Sequence, residues 1–255
     1  MATKKESISV YLDIVSLIPQ LYDDESFALT VMSKQEIRDL IVRNDQQLRS
    51  ELAPFYGTSI SGTPNVSTPI PRYGNTESGV LLLTDGTNDL TISEGSTVYS
   101  QVYEIKFTSA TAFTVTSDLT GAQGTGSTAS NFTTTDTFLA INSSLWSGSF
   151  FAGDVHYVKV YNYEGMLVHM SSLLAANYIL NTIFTEESPD ASATAEKYDR
   201  LYRRLIRSLK NGTVFLEKGL SQRDIDPIQI DYEIDQYGRD VTYYEAFDWN
   251  PRTGD

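Results

Sequence analysis

Residues 33–53, SKQEIRDLIVRNDQQLRSELA, place apolar side chains at helical spacing, with Ile37, Leu40, Ile41, Leu48 and Leu52 on one face. Ser33 and Glu36 stand three positions apart just ahead of that face. In this pattern a hydroxyl and a carboxylate each satisfy one of the free N–H groups at a helix start. The prolines and glycines that follow end the helix. Upstream, Ile8, Val10, Leu12 and Ile14 alternate in SISVYLDIVSLIP, which suits a strand or a short helix, and Pro19 stops either.

From Tyr56 to about Tyr163 the pattern changes. Short runs rich in β-branched and aromatic residues, VLLLT, STVYSQVYEIKFTS, AFTVTS, FLAI and VHYVKVYNY, are separated by DGTND, TGAQGTG and SSLWSGSFFAGD. Val155, Tyr157, Lys159 and Tyr161 alternate with His156, Val158 and Val160, which predicts a strand with one packed face. The spacing of turn signals predicts an antiparallel β-sandwich or small barrel.

After Gly165 the helical period returns. Met166, Met170, Leu173, Leu174, Asn177, Tyr178, Asn181 and Phe184 share a face, and EESPDASA interrupts it. A second amphipathic run follows in which Tyr198, Leu201, Tyr202, Leu205, Ile206 and Leu209 form the apolar stripe and Asn211-Gly212 the C-cap. The two runs predict a helical hairpin. The class is therefore α+β: helical parts at 1–56 and 164–219, an inserted β domain at 57–163, and an extended tail at 220–255. Insertion of a domain at an exposed loop is well tolerated.

The chain has 255 residues, a net charge of −14 and no cysteine. Disulfides, thiolate metal sites and cysteine nucleophiles are thereby excluded. The acidic balance argues against general affinity for nucleic acid, because phosphate binding draws on a surplus of Lys and Arg. The first residues lack a long apolar core and a small-residue cleavage site, so no secretory signal is expected. No run was expected to provide the 18–20 apolar residues of a membrane span.

Against that background, residues 195–219 gather seven of the nineteen Lys and Arg residues. Arg200, Arg203, Arg204 and Arg207 fall opposite the apolar stripe. They read as a solvated face with local ion pairs, as a subunit interface, or as a DNA contact, the last being disfavoured by the net charge. The tail, 220–255, holds nine Asp and Glu against three Arg, together with Tyr232, Tyr237, Tyr243, Tyr244, Phe247 and Trp249. Aromatic residues in an extended segment suit docking on another subunit or protein, and arginine forks suit carboxylate partners.

Catalytic patterns are sparse. His156 and His169 lack metal-ligand spacing and read as satisfied core or surface histidines. GAQGTGSTAS has no phosphate-binding Lys and reads as a loop. Asp85, Asn88 and Asp89 could in principle hold calcium, but the EF-hand order of ligands is absent and DG and ND are ordinary turn dipeptides. No catalytic, cofactor or metal residue is assigned.

Residues 35–57, QEIRDLIVRNDQQLRSELAPFYG, with MLVHMSSLLAANYILNTIF at 166–184 and KYDRLYRRLIRSLKNGTVFLEKG at 197–219, resemble tailed-bacteriophage head-to-tail connector proteins, the adaptor or head-completion family. The similarity covers roughly 80 residues and lies in the order of helix, variable loop and helical hairpin. It departs from the family where a short loop is replaced by about 100 residues of β structure. The resemblance implies a virion protein at the neck, made in the host cytoplasm and without a membrane. It implies a homo-oligomeric ring, commonly a dodecamer, below the portal protein, with a neck or stopper protein on the tail side. Passing double-stranded DNA would meet a repulsive acidic conduit without specific binding. Arg200, Arg203, Arg204 and Arg207 with the tail aromatics are then the expected subunit or portal interface, pairing basic helix with acidic tail across a heterologous contact. The alternatives are a binding module whose β domain recognises a glycan, receptor or neck component, and a hydrolase of cell-wall glycans whose carboxylates spacing alone does not locate.

Overall fold

Ser33 and Glu36 close the capping box their spacing predicts: Glu36 Oε2 accepts from the Ser33 backbone N–H at 2.7 Å, and Ser33 Oγ accepts from the Glu36 N–H at 3.2 Å. The computed structural model describes residues 7–23, 28–29, 31–56, 64–72, 74–92, 99–184, 189–213, 216, 232–234 and 240–242. Its helices are α1 (Tyr11–Leu17), α2 (Lys34–Tyr56), α3 (Gly165–Ile183) and α4 (Pro189–Lys210). The strands of the first half are β1 (Tyr22–Asp23), β2 (Ala28–Leu29), β3 (Asn65–Val66), β4 (Ile70–Pro71), β5 (Val80–Leu81), β6 (Thr91–Ile92), β7 (Gln101–Phe107) and β8 (Ala112–Ser117). Those of the second are β9 (Gly121–Ser127), β10 (Phe132–Thr133), β11 (Leu139–Ile141), β12 (Trp146–Ser147), β13 (Val155–Tyr161), β14 (Tyr232–Ile234) and β15 (Asp240–Thr242). The chain is α+β.

The segment that could be strand or helix becomes α1. Asp13 Oδ2 accepts from the Val10 N–H at 3.1 Å and closes the first turn, while Ile8, Val10 and Ile14 are all buried. At the other end of the chain, α4 stops in a Schellman turn. Gly212 sits at φ +69°, its N–H reaches the Leu209 carbonyl, and the Thr213 N–H reaches the Ser208 carbonyl. Its buried stripe runs through Ala195, Tyr202, Ile206 and Leu209. Leu201, expected in that stripe, is 36% exposed, because it lies about 100° round the helix from Tyr202.

Helix α3 departs from the predicted one-sided pattern. Met170 to Ala176 are buried without interruption, whereas Tyr178 and Asn181 of the expected face are exposed. A helix apolar on all sides belongs at the centre of a layer, and α3 packs on α1, α2 and α4. By length and composition it is also long and apolar enough to cross a membrane, contrary to the expectation that no run would be. Its apolar surface is mostly buried against the other helices.

The large sheet has the order β3–β13–β7–β8–β9, with β4 also on β13, and every pairing is antiparallel. Strand β9 corrects the reading of GAQGTGSTAS as a loop. Gly126 is needed because aromatic rings close on the backbone there: a Cβ would stand 2.5 Å from Phe113 and 2.8 Å from Phe132. One face of the sheet, with Val158 and Val160 of β13, packs under the small sheets β10–β11–β6 and β12–β5. The other face gives Val102 and Tyr161 to the helical core. The layers are therefore small sheets, large sheet, helices, and β13 is packed on both faces, not on one.

A buried polar seam joins sheet and helices. Asp13 Oδ1 accepts from Lys159 Nζ at 2.8 Å and from the Tyr161 hydroxyl at 2.7 Å. Burial first, and then the Asp13 carboxylate, raise the Tyr161 pKa above its ordinary value. Arg38, 4% exposed, donates to Asp118 Oδ2 at 2.7 Å, and the other oxygen of Asp118 accepts from the Val102 N–H. Asp45 accepts from the Ile8 N–H and from Ser171 Oγ, tying the first described residues to α2 and α3.

Candidate interaction surface

The periodicity of α4 that buries Tyr202, Ile206 and Leu209 turns the intervening residues outward, and Arg200, Arg203, Arg204 and Arg207 are all exposed together. Arg203 Nε donates to Asp199 Oδ2 at 2.7 Å, one turn earlier. Below this face a cleft of about 320 Å3 opens between α2, α3 and α4. Leu174 and Ile206 line it, and Glu51, Arg203, Arg207 and Lys210 supply its charged walls. Lys210 Nζ stands 3.8 Å from Glu51 Oε2. The Tyr202 hydroxyl is buried beside Glu51, but its geometry falls short of a hydrogen bond; burial, then the Glu51 charge, raises its pKa.

The structure thus brings the four arginines onto one helix face. Of the expected aromatic set, Tyr232 lies in β14, whose backbone pairs antiparallel with β15 in the register Tyr232 to Thr242. Tyr237, Tyr243, Tyr244, Phe247 and Trp249 lie outside the described residues.

A second surface feature belongs to the small sheets. Thr133, Ala140 and Thr91 stand in register across β10, β11 and β6. They floor a polar cleft of about 370 Å3 that is flanked by Asn88, Asn131 and Asn142. The amides are fixed from behind: Asn142 Nδ2 donates to Asn88 Oδ1 at 3.2 Å, and Asn131 Oδ1 accepts from the Ser143 N–H at 2.9 Å. Asp85 lies beside this cleft with its carboxylate turned to the local turn, accepting from the Thr87 and Asn88 N–H groups at 2.7 and 2.6 Å. The Ser144 hydroxyl, followed by those backbone donors, holds the Asp85 pKa well below the carboxylate range. Among the described residues, no group of three or more His, Asp or Glu is arranged to hold a metal ion.

The two histidines separate. His169 is exposed on α3. His156 is buried, but neither ring nitrogen has a hydrogen-bond partner, so it is not the satisfied core histidine the sequence suggested. Sequence reasoning also missed Asp13, Arg38, Asp45 and Asp118. The partners that join them to other elements lie tens of residues away, and the one local signal was Arg38 and Asp45 set beside the apolar stripe of α2.

No family model matches this chain, and no curated protein matches it. Solved structures matched include FlgL of Xanthomonas campestris in two crystal forms. One has 17% identity and a TM-score of 0.27 over 66% of this chain, and the other 18% and 0.29 over 64%. The match spans 56% of the FlgL chain in each case. At such TM-scores the likeness carries no argument about fold or function.

Proposed function

We propose that this chain is a non-enzymatic structural virion protein, a head-to-tail connector adaptor whose copies form a ring below the portal, join capsid to tail and form part of the DNA conduit. The observation that carries this reading is the exposed row of Arg200, Arg203, Arg204 and Arg207 on α4, in a chain whose net charge is −14. Such a row suits a neighbour's carboxylates, and a heterologous ring contact sets one face of a subunit against a different face of the next. The order of α2 followed by the α3–α4 hairpin, as in the connector resemblance, supports it further. Negative-stain imaging of the full chain mixed with its portal is expected to show rings seated on the portal. Monomers that leave the portal bare would overturn the proposal.

A second reading, in which the β part is a ligand-binding module, rests on the polar cleft over Thr91, Ala140 and Thr133. Its fixed amides and hydroxyls suit a neutral polyhydroxyl ligand such as a glycan. Glycan-array binding that Asn131→Ala removes, without any portal association, would favour this reading over the ring.

A further inference from the structure

His156 is 1% exposed, and both Nδ1 and Nε2 lack a hydrogen-bond partner. Buried imidazoles ordinarily have one, since an unpaired polar group in a dry site is destabilising. The surroundings explain the lack. The Phe107 and Phe150 rings stack at a centroid distance of 4.2 Å, and the imidazole packs edge-on to both, at 6.0 and 5.6 Å. Phe107 belongs to β7. Phe150 belongs to the arm 146–154, which returns the chain from β12 to β13.

This arm is held by a short ladder and scattered single bonds, not by a continuous strand pairing. Its one ladder is the two-residue pairing of Trp146 and Ser147 with Leu81 and Val80. Within the arm Asp154 Oδ2 accepts from the Phe151 N–H at 2.8 Å; the bonds that tie it to the rest include Asp154 Oδ1 accepting from the Thr76 N–H at 2.7 Å, the Gly153 N–H reaching the Phe107 carbonyl and the Phe107 N–H the Asp154 carbonyl, both at 2.8 Å, Ser149 Oγ donating to Glu77 at 3.0 Å, and Arg72 donating to the Gly153 carbonyl. The aromatic cluster of Phe107, Phe113, Trp146 and Phe150 supplies the rest.

We propose that His156 is an acid-sensitive latch: as a neutral ring it completes the aromatic cluster that holds the 146–154 arm to the sheet, and as an imidazolium it releases that arm. The imidazolium carries two N–H donors, and the faces that meet it are Phe107, Phe150 and the paired strands. The charged groups nearest it are few. Asp154, two residues earlier at the end of the arm, is the carboxylate that acts on the ring, and both its oxygens already accept backbone N–H groups. Arg72, which follows β4, donates to the Gly153 carbonyl at 3.2 Å and adds positive charge on the arm side. From β7 the ring meets apolar side chains.

Burial lowers the His156 pKa, and Asp154 opposes this to a smaller degree. The unfolded chain therefore takes up the proton first. Stability contributed by the neutral ring is present above the ordinary histidine range near 6.5 and is lost as pH falls from there through the lowered folded-state value. Release would uncover Trp146 and Phe150, giving the β part an acid-dependent apolar surface.

The chain has two histidines and two tryptophans, so both readouts can be assigned. In the full chain carrying Trp249→Phe, Trp146 fluorescence and dye binding are expected to report exposure of the arm on acidification from pH 7.5 to 5. The His156→Phe variant, which fills the cage without a titrating group, should lose that transition. By NMR the His156 ring protons should titrate below the ordinary histidine range near 6.5. A fluorescence transition unchanged in His156→Phe would overturn the proposal. If that variant fails to fold, a His156 titration midpoint in the wild-type chain at or above the ordinary histidine value of about 6.5 would overturn it.

Discussion

Arg38 shows how much a single residue contributes to the join between helices and sheet. Its guanidinium is buried on α2 and meets Asp118, which is itself buried and also accepts the Val102 N–H. Removing one member of a buried pair leaves the other charged and unsolvated, at a cost of about 3–5 kcal/mol. Arg38→Ala should therefore lower the urea-unfolding free energy by roughly that amount. Arg38→Met combined with Asp118→Asn should recover part of it, since the amide still accepts from Val102 and no orphan charge remains. A loss below about 1 kcal/mol in the single variant would mean that water reaches Asp118. None of this pairing is visible in the sequence, because Arg38 and Asp118 are 80 residues apart.

Among the elements, α2 and α4 were legible while β9 was not. Helix signals are local: the capping box of Ser33 and Glu36 and the Schellman glycine at 212 each lie within a few residues of the end they define. Strand β9 has no such signal, because Gly-Ala-Gln-Gly-Thr-Gly lacks the side chains that mark strands. It is specified by Phe113 on β8 and by Phe132, whose rings occupy the space over its backbone. Gly126→Ala should overpack these rings and lower stability by about 1–3 kcal/mol. Gly165→Ala at the start of α3, where a Cβ meets nothing within 4 Å, should be neutral or stabilising by up to about 1 kcal/mol. Thermal unfolding of the two variants separates the cases, and equal melting temperatures would remove the packing account of β9.

For the whole molecule the question is what the arginine face meets. Arg203→Glu with Arg207→Glu should abolish ring or portal assembly while the chain stays folded, because the exposed Arg203–Asp199 pair contributes less than about 1 kcal/mol. Sedimentation and circular dichroism measure the two outcomes together, and unchanged assembly would return α4 to an ordinary solvated face. The seam at Asp13 also limits how far the β part can be separated from the helices. Replacing 57–163 by a short linker removes Lys159 and Tyr161 from Asp13 and Asp118 from Arg38. That deletion should not yield a cooperatively folded helical core, and a sharp unfolding transition in it would show the seam to be dispensable.

The sequence by itself determined the α+β class, the positions of the long helices, the outward arginine row and the acidic balance. Each of these follows from residue type and short-range periodicity. It misplaced two helix ends: α2 runs on through Pro54 to Tyr56, and α4 already begins at Pro189, within the EESPDASA read as a break. Tertiary structure alone decided that β13 is packed on both faces, that Met170 to Ala176 of α3 are buried without interruption, that a glycine run is a strand, and that His156 has no hydrogen-bond partner. These depend on contacts between residues distant in sequence, such as Tyr161 and Asp13, 148 positions apart. Periodicity tells which side of an element is apolar; what that side meets, and which buried charge finds its counterpart, is fixed when the layers close.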